Sequence, residues 1–172
     1  MSGELSLRNR QRTRPVNLRL LRHIARRLLT DFMRPKHFAL GLHLVDATEM
    51  TRLNETFLQH EGSTDVITFD HSASELPIAL HSNPLETRNS KLETVLHGEI
   101  FISLDDAVSQ ARQFRTTWQS EVVRYLLHGV LHLRGHDDLH PAARRKMKRE
   151  ENRLLRELSR RFDLSALKRK PK

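Results

Sequence analysis

From residue 127 to residue 138 the chain reads Leu-His-Gly-Val-Leu-His-Leu-Arg-Gly-His-Asp-Asp. His128 and His132 are four residues apart, so on a helix they project from the same face. Gly135 can end that helix, because glycine adopts the left-handed conformation at little steric cost. The chain can then turn back and bring Asp138 towards the two imidazoles. Three such ligands and an open fourth position are typical of catalytic zinc, so we predict a metal site on this helix and the turn after it.

The residues before and between the histidines favour a metal over an ordinary helical histidine pair, which is a common feature of helices. They form the most apolar segment of the chain: Val122, Val123, Leu126, Leu127, Val130, Leu131 and Leu133. The helix is therefore expected to be buried. An unpaired polar group in an apolar setting costs about 1–3 kcal/mol. A cation satisfies two buried imidazoles and a nearby carboxylate together.

Composition limits the classes of protein to consider. The chain has 172 residues, of which 37% are hydrophobic and 30% charged, which is typical of one globular domain with its own core. It contains no cysteine, which excludes disulfides, thiolate metal sites and cysteine nucleophiles. The N-terminal region is rich in arginine and lacks a long apolar run, so we expect neither a secretory signal nor a membrane span. A cytoplasmic location is expected.

Charge is unevenly distributed along the chain. The formal net charge is +9, yet residues 46–110 carry twelve acidic and only three basic side chains. Basic residues concentrate instead in residues 8–27, 144–149 and 153–172. This asymmetry favours a polyanionic partner, nucleic acid above all, although basic helix faces are also common as solvated surface. Aromatic residues make up 5% of the chain, which argues against a base-stacking platform and favours contact with phosphates.

The order of predicted elements indicates an α/β or α+β fold, with one small mixed sheet covered by helices. Apolar periodicity predicts helices over 16–32, 47–57, 105–114, 121–133 and 141–162, and strands over 38–45, 66–69 and 99–103. Residues 1–14 are expected to form a basic flexible arm, and 163–172 a basic tail. Between them, 15–162 is expected to be a single metal-dependent catalytic domain with a long loop over 71–95.

Several segments carry a resemblance to a known family. Residues 128–138 resemble the signature of the YbeY family of bacterial rRNA maturation factors, which reads His-Gly-x-Leu-His-Leu-x-Gly-Tyr-Asp-His. Residues 63–69, Ser-Thr-Asp-Val-Ile-Thr-Phe, are similar to the family's Thr-Asp-Val-Leu-Ser-Phe strand, and residues 98–102 to its Gly-Asp-Ile strand. The resemblance extends over residues 40–158, most of the chain.

The resemblance implies a single-strand endoribonuclease that depends on one Zn²⁺ per chain. It further implies a role in ribosome biogenesis, with ribosomal RNA and the small ribosomal subunit as partners and the 3′ end of 16S rRNA as the processed site. The expected fold is α/β with the metal in a cleft. His128 and His132 match the signature directly and are implied to be metal ligands.

The third ligand departs from the signature, because Asp138 stands where the family has histidine. Aspartate is a competent zinc ligand, but its charge would offset part of the field of the cation. His136 and His140 are nearby alternatives that do not match the spacing, so we favour Asp138. Asp137 is a candidate to orient a ligand imidazole, or alternatively to cap the turn after the glycine.

The residues that would contact RNA are less well defined. Leu58 aligns with an arginine of the family, so one candidate phosphate contact is missing, and Arg52 or His60 would have to replace it. Arg134 is a further candidate anchor for phosphates. Thr64 is a candidate RNA contact too, although a Thr-Asp pair before a strand equally suggests local turn hydrogen bonds.

Two other functions compete with the nuclease. The spacing of His128, His132 and Asp138 also matches the extended metzincin pattern of zinc peptidases. Those enzymes place a glutamate directly after the first histidine as general base, whereas Gly129 cannot accept a proton. The stronger alternative is a non-catalytic rRNA-binding assembly factor with a structural metal, whose site would be closed by a fourth protein ligand.

Overall fold

The structure, a computed structural model, describes residues 2–72 and 95–169. Its strands are β1 (Ser2–Asn9), β2 (His37–Val45), β3 (Val66–Asp70) and β4 (Val95–Ser103), and its helices are α1 (Leu18–Arg27), α2 (Ala47–Leu53), α3 (Leu104–Phe114), α4 (Trp118–Leu133) and α5 (Pro141–Arg161). π-Helical turns extend α1 over Leu28–Met33 and α2 over Asn54–Leu58, and a 3₁₀ turn over Leu164–Leu167 follows α5. The predicted loop over 71–95 lies almost wholly outside the described residues.

The sheet is mixed, as the sequence predicts. Its strand order is β1-β2-β4-β3, with β1, β2 and β4 parallel and β3 antiparallel to β4. The register pairs Leu40 with Gly98 in the centre and Val66 with Ile102 at the β3 edge. β3 is the edge strand beside β4, and the helix that carries the histidines packs against both strands.

The main core lies between one face of the sheet and helices α1, α4 and α5. Even-numbered residues of β2 and β4 supply its sheet side, namely Phe38, Leu40, Leu42, Leu44, Leu96, Ile100 and Ile102. The opposite face carries a smaller apolar cluster, in which Met50 of α2 packs with Val45, Ile67 and Phe101. None of the described helices is long and apolar enough to cross a membrane.

α4 lies against the sheet and is the most deeply buried helix. Its N-terminus is capped by Thr117, whose side chain accepts the N–H of Ser120. At Gly129 an added Cβ would lie 2.8 Å from Cγ2 of Ile100 and 2.9 Å from Oγ1 of Thr68. A side chain is therefore excluded there, and the glycine lets the helix backbone approach β3 and β4. This close approach holds the neighbouring His128 beside β3.

The two ends of the chain correct the prediction of a flexible arm and tail. Residues 2–9, predicted as part of the arm, form β1, in which Leu5 is buried in the core while Glu4 is exposed. Two leucines in a short, charged edge strand give too weak an alternation to be recognised. At the other end Leu167 is fully buried, and its carbonyl accepts the N–H of Asn17. The start of the predicted tail thus packs on α1.

Candidate metal centre

Three predicted ligands converge at the C-terminal end of α4. The Nε2 atoms of His128 and His132 are 3.0 Å apart. The carboxylate of Asp138 lies 3.8 Å from Nε2 of His128 and 3.9 Å from Nε2 of His132. Among the described residues this is the one group of three or more histidine, aspartate or glutamate side chains arranged to hold a metal ion. The side chains of His136 and His140 do not belong to it.

The turn after α4 brings Asp138 to the imidazoles. Gly135 adopts a φ of 79°, in the left-handed region where glycine is favoured. Its N–H donates to the carbonyl of His132 at 2.8 Å, and the N–H of His136 donates to the carbonyl of Leu131 at 3.0 Å. These two bonds form a Schellman motif, which ends the helix and reverses the chain. The predicted helix end at the glycine is confirmed.

The outer nitrogen of each imidazole faces an oxygen that can only accept a hydrogen bond. Nδ1 of His128 lies 3.2 Å from a carboxylate oxygen of Glu151, and Nδ1 of His132 lies 3.0 Å from the backbone carbonyl of His136. Each Nδ1 therefore carries the proton in the neutral ring, which leaves Nε2 with a bare lone pair. Two lone pairs face each other across 3.0 Å. A cation bound by both nitrogens removes this repulsion.

Glu151 is held in its charged form although only 3% of it is exposed. Burial by itself raises the pKa of this carboxyl, but hydrogen bonds from His128 and Arg124 outweigh that effect and lower the pKa overall. Arg124 Nη1 lies 2.7 Å from one carboxylate oxygen, and the Lys148 ammonium lies 3.4 Å from the same oxygen. Glu151 is thus a fixed anion behind the imidazole of His128, in the arrangement by which proteins orient histidine ligands.

The donor set fits a divalent metal ion. Tetrahedral zinc with Zn–N distances of about 2.0–2.1 Å places two ligand nitrogens about 3.3 Å apart, close to the distance observed between His128 and His132. Burial and the neighbouring His128 lower the pKa of His132, which keeps that ring in the neutral form that binds metals. All three side chains remain partly exposed, so one side of the centre is open.

The open side faces a cleft of about 260 Å³ between α4 and β3. Its walls include His128, His132, Thr68, Asp70 and Leu58. Leu58 is 45% exposed, which places an apolar side chain on the rim at the position where the family resemblance implies an arginine. Asp70, which belongs to none of the sequence motifs, brings a carboxylate to the same cleft.

The structure separates the predicted RNA contacts from one another. Arg52 lines a different cavity, together with Asp46 and Glu49. Oγ1 of Thr64 donates to Asp65 at 3.3 Å, which is local turn chemistry before β3. His60 and Arg134 are exposed, the latter at the C-cap of α4. No common surface formed by these four candidates follows from the geometry of the described residues.

Asp137 makes a local turn hydrogen bond in this structure. Its carboxylate accepts the N–H of Leu139 at 2.9 Å and so caps the turn. The imidazoles are oriented instead by Glu151 and by the carbonyl of His136. Glu151 comes from the next helix, and a pattern confined to residues 128–138 could not reveal it. One feature of the sequence could have indicated it. Glu151 is four residues after Met147, on the face of α5 that is otherwise apolar and buried.

The chain is similar to several known proteins. A family described as Endoribonuclease YbeY matches residues 6–159 of the chain. A protein named Endoribonuclease YbeY from Salinibacter ruber is 34% identical over 116 residues, which cover 67% of this chain and 68% of that protein. Another protein of that name, from Syntrophotalea carbinolica, is 33% identical over 135 residues, or 78% of this chain and 81% of the relative.

Two further similarities differ in coverage. A protein named Endoribonuclease YbeY from Myxococcus xanthus is 39% identical over 119 residues, but these make up only 36% of its length. A solution structure of a Thermotoga maritima protein superposes with a TM-score of 0.61 and covers 97% of both chains at 20% sequence identity. At that level of identity the superposition supports the fold alone.

Proposed function

The chain belongs to the family of the endoribonuclease YbeY, and from this premise we propose that it is a metal-dependent, single-strand endoribonuclease of rRNA maturation. Zinc is the proposed metal, with His128, His132 and Asp138 as its protein ligands. The proposed substrate is ribosomal RNA in the cytoplasm, bound with the small ribosomal subunit, and the proposed processing site is the 3′ end of 16S rRNA.

The observation that carries this proposal is the pair of bare Nε2 lone pairs on His128 and His132, which face each other beside a carboxylate and open into a cleft. A structural metal site is normally closed by a fourth protein ligand. The described residues supply three ligands here, and the remaining side of the metal centre opens into the cleft. This arrangement supports a catalytic site, because the side without a protein ligand would be open to substrate.

His128, His132 and Asp138 would hold a divalent ion, which would supply Lewis-acid chemistry for hydrolysis of a phosphodiester. The protein residues supply position. Glu151 and the carbonyl of His136 hold the two imidazoles in one tautomer and orientation, so no proton has to leave Nε2 before a metal binds. Thr68 lies along the wall of the cleft, where its hydroxyl can contact the RNA next to the reacting phosphate.

Peptidase chemistry is disfavoured by more than the lack of a glutamate. An added Cβ at residue 129 would come within 3.0 Å of Ile100 and Thr68, so a glutamate directly after His128 does not fit against the sheet. Helix α4 is packed in a way that requires glycine at this position. The general base of zinc peptidases is therefore excluded sterically as well as chemically.

The decisive experiment is cleavage of a structured fragment of small-subunit rRNA by the purified protein, with and without a chelator and alongside His132→Ala. We expect defined cleavage products that disappear with the chelator and in the variant. Cleavage that persists in both would exclude the metallonuclease. RNA that stays intact but binds in a salt-dependent way would favour the assembly factor, to which the apolar Leu58 on the cleft rim also points.

A further inference from the structure

A second concave surface borders the turn between α4 and α5 that carries Asp138. It is a groove of about 620 Å³ along the middle of α5, bordered by His136 from the turn after α4. We call it the basic groove and define it by its four cations, Lys146, Arg149, Arg153 and Arg156. None of these residues was among the RNA-binding candidates predicted from the sequence.

The basic groove keeps most of its positive charge. Glu150 is the one carboxylate that lines the groove, and Arg153 donates two hydrogen bonds to it, at 2.8 and 2.6 Å. Within the described residues no carboxylate lies within ion-pair distance of Lys146, Arg149 or Arg156, which are all exposed. Cations on ordinary helix surfaces commonly pair with acidic neighbours, whereas these three remain available to an external anion.

The spacing of the cations suits a chain of anions rather than a single one. Positions 146, 149, 153 and 156 follow one face of α5 in steps of three, four and three residues. At 1.5 Å per residue the row extends for about 15 Å. A polyanion with regularly spaced charges can contact the whole row, but a lone phosphate cannot. The lining contains no phenylalanine, tyrosine or tryptophan, so stacking of bases on such rings is not available.

The groove and the metal centre share a backbone segment. The side chain of His136 borders the groove, while its carbonyl accepts the Nδ1 proton of His132. On α5, Glu150 lines the groove and the adjacent Glu151 holds His128. The groove and the metal centre therefore adjoin each other at the turn after α4 and at residues 150–151 of α5.

We propose that the basic groove binds the sugar-phosphate backbone of the RNA strand that flanks the cleaved phosphodiester. The proposal rests on the proposed nuclease function for the identity of the polyanion. It assigns to α5 the sequence-independent part of substrate affinity, which comes from the release of counterions by neutralised phosphates. The groove holds the strand in place, and the cleft next to it determines where the strand is cut.

The test compares two triple variants that remove equal charge. Lys146→Ala, Arg149→Ala and Arg156→Ala are combined in the groove variant. The control combines Arg19→Ala, Arg22→Ala and Arg26→Ala, three exposed arginines on one face of α1, which packs against β1 and the C-terminal turn. Affinity for a single-stranded rRNA fragment is measured between about 50 and 200 mM salt, with chelator present so that the RNA stays intact.

We expect the groove variant to reduce the slope of log K against log salt by about 2, since each neutralised phosphate of a single strand contributes about 0.7. The control should keep the slope of the wild type. Equal slopes in all three proteins, or an equal loss in both variants, would overturn the proposal. Thermal unfolding and zinc content of both variants establish that the fold and the metal centre are intact.

Cleavage by the same preparations with metal restored separates the two proposals. A wild-type protein that cleaves, together with a groove variant that binds with an unchanged slope, rejects the groove and leaves the nuclease in place. A wild-type protein that does not cleave, together with a groove variant of reduced slope, supports the groove as an RNA-binding surface and rejects the nuclease.

Discussion

Among the described residues, two clusters pair histidines with a carboxylate, and one of them, the metal centre, is arranged to bind a metal. In the metal centre, His128 and His132 turn their Nε2 atoms towards each other beside Asp138. In the second cluster, on the more open face of the sheet, Glu99 sits between two imidazoles. One of its oxygens lies 3.0 Å from Nε2 of His43, and the other lies 3.4 Å from Nε2 of His71.

The clusters differ in which nitrogen carries the proton. The carboxylate of Glu99 accepts, so the Nε2 atoms of His43 and His71 donate into their cluster and satisfy it without a cation. In the metal centre the acceptors lie outside, on the Nδ1 atoms, so the cluster itself holds only lone pairs and a carboxylate. Proximity of histidines is thus insufficient evidence for a metal site. Whether two neighbouring histidines can bind a metal depends on whether the Nδ1 atoms, which face away from the cluster, have hydrogen-bond acceptors.

The largest effect on zinc affinity is expected when a histidine is removed from the metal centre and not from the second cluster. His128→Ala should weaken zinc binding by at least about 100-fold, a larger loss than the 10–100-fold that is typical when only an orienting partner is removed. His71→Ala is the matched control, because it deletes a half-exposed imidazole from the second cluster and should leave the zinc affinity unchanged. Competition with a chromophoric chelator measures both affinities.

A loss of zinc in His71→Ala but not in His128→Ala would reverse the assignment of the two clusters. Equal losses in both variants would indicate a general effect on folding, which circular dichroism of the metal-free proteins would detect. Retention of one zinc per chain by both variants would contradict the assigned ligand set.

A smaller effect is expected from the outer hydrogen bond, which distinguishes the clusters. Glu151→Gln keeps the size of the side chain but removes the charge that faces the Nδ1 proton of His128. We expect zinc affinity to fall by about 10–100-fold, as for other partners that orient metal-bound histidine. The neighbouring substitution Glu150→Gln removes a partly exposed charge that pairs with Arg153 and should leave zinc affinity within about 3-fold of the wild type.

The same chelator competition compares these adjacent variants. If Glu150→Gln lowered affinity as much as Glu151→Gln, the effect would be one of net charge near the site and not of orientation. If neither lowered it, the outer bond would have no part in metal binding and the distinction between the clusters would fail.

The metal centre could be predicted because all three ligands lie within eleven residues of one helix and its turn. Helical periodicity places His128 and His132 on one face of the helix. Gly135 indicates where the helix ends and the chain turns back, which brings Asp138 to the two imidazoles. Local geometry suffices for such a site. Most strands and helices are recognisable for a similar reason, since their apolar periods are strong.

What the sequence could not reveal depends on contacts between distant segments. Glu151 reaches His128 from another helix, and no local spacing connects them. β1 is hydrogen-bonded to β2, whose residues are more than thirty positions away in the sequence, as in the pair Leu5 and Leu40. The alternation of apolar residues in β1 alone is too weak to predict a strand. The basic groove combines α5 with His136, and it emerges only when α5 packs beside the end of α4.

The smallest expected effect tests the second cluster through its response to pH. His43 is only 4% exposed and stacks on Phe101, with ring centroids 4.4 Å apart. Burial lowers its pKa below 6.5 against the opposing influence of Glu99, and the nearby charges of Arg10 and Arg8 lower it further. As the pH falls, His43 therefore takes up a proton in the unfolded state at a higher pH than in the folded state. The stability of the metal-free protein should be complete above pH 6.5 and decline as pH falls from there towards the folded-state pKa.

His43→Gln removes this proton uptake, and its amide can still donate to Glu99. The variant should lose less stability than the wild type between pH 7 and pH 5, as measured by urea unfolding in the presence of chelator. The lowered pKa of His132 adds a decline of the same sign, but it is common to both proteins and cancels in their difference. His71→Gln, which changes the half-exposed partner of the same carboxylate, serves as the control. An equal acid sensitivity of His43→Gln and the wild type would mean that the buried imidazole is protonated alike in both states, and that the carboxylate between the two rings compensates fully for its burial.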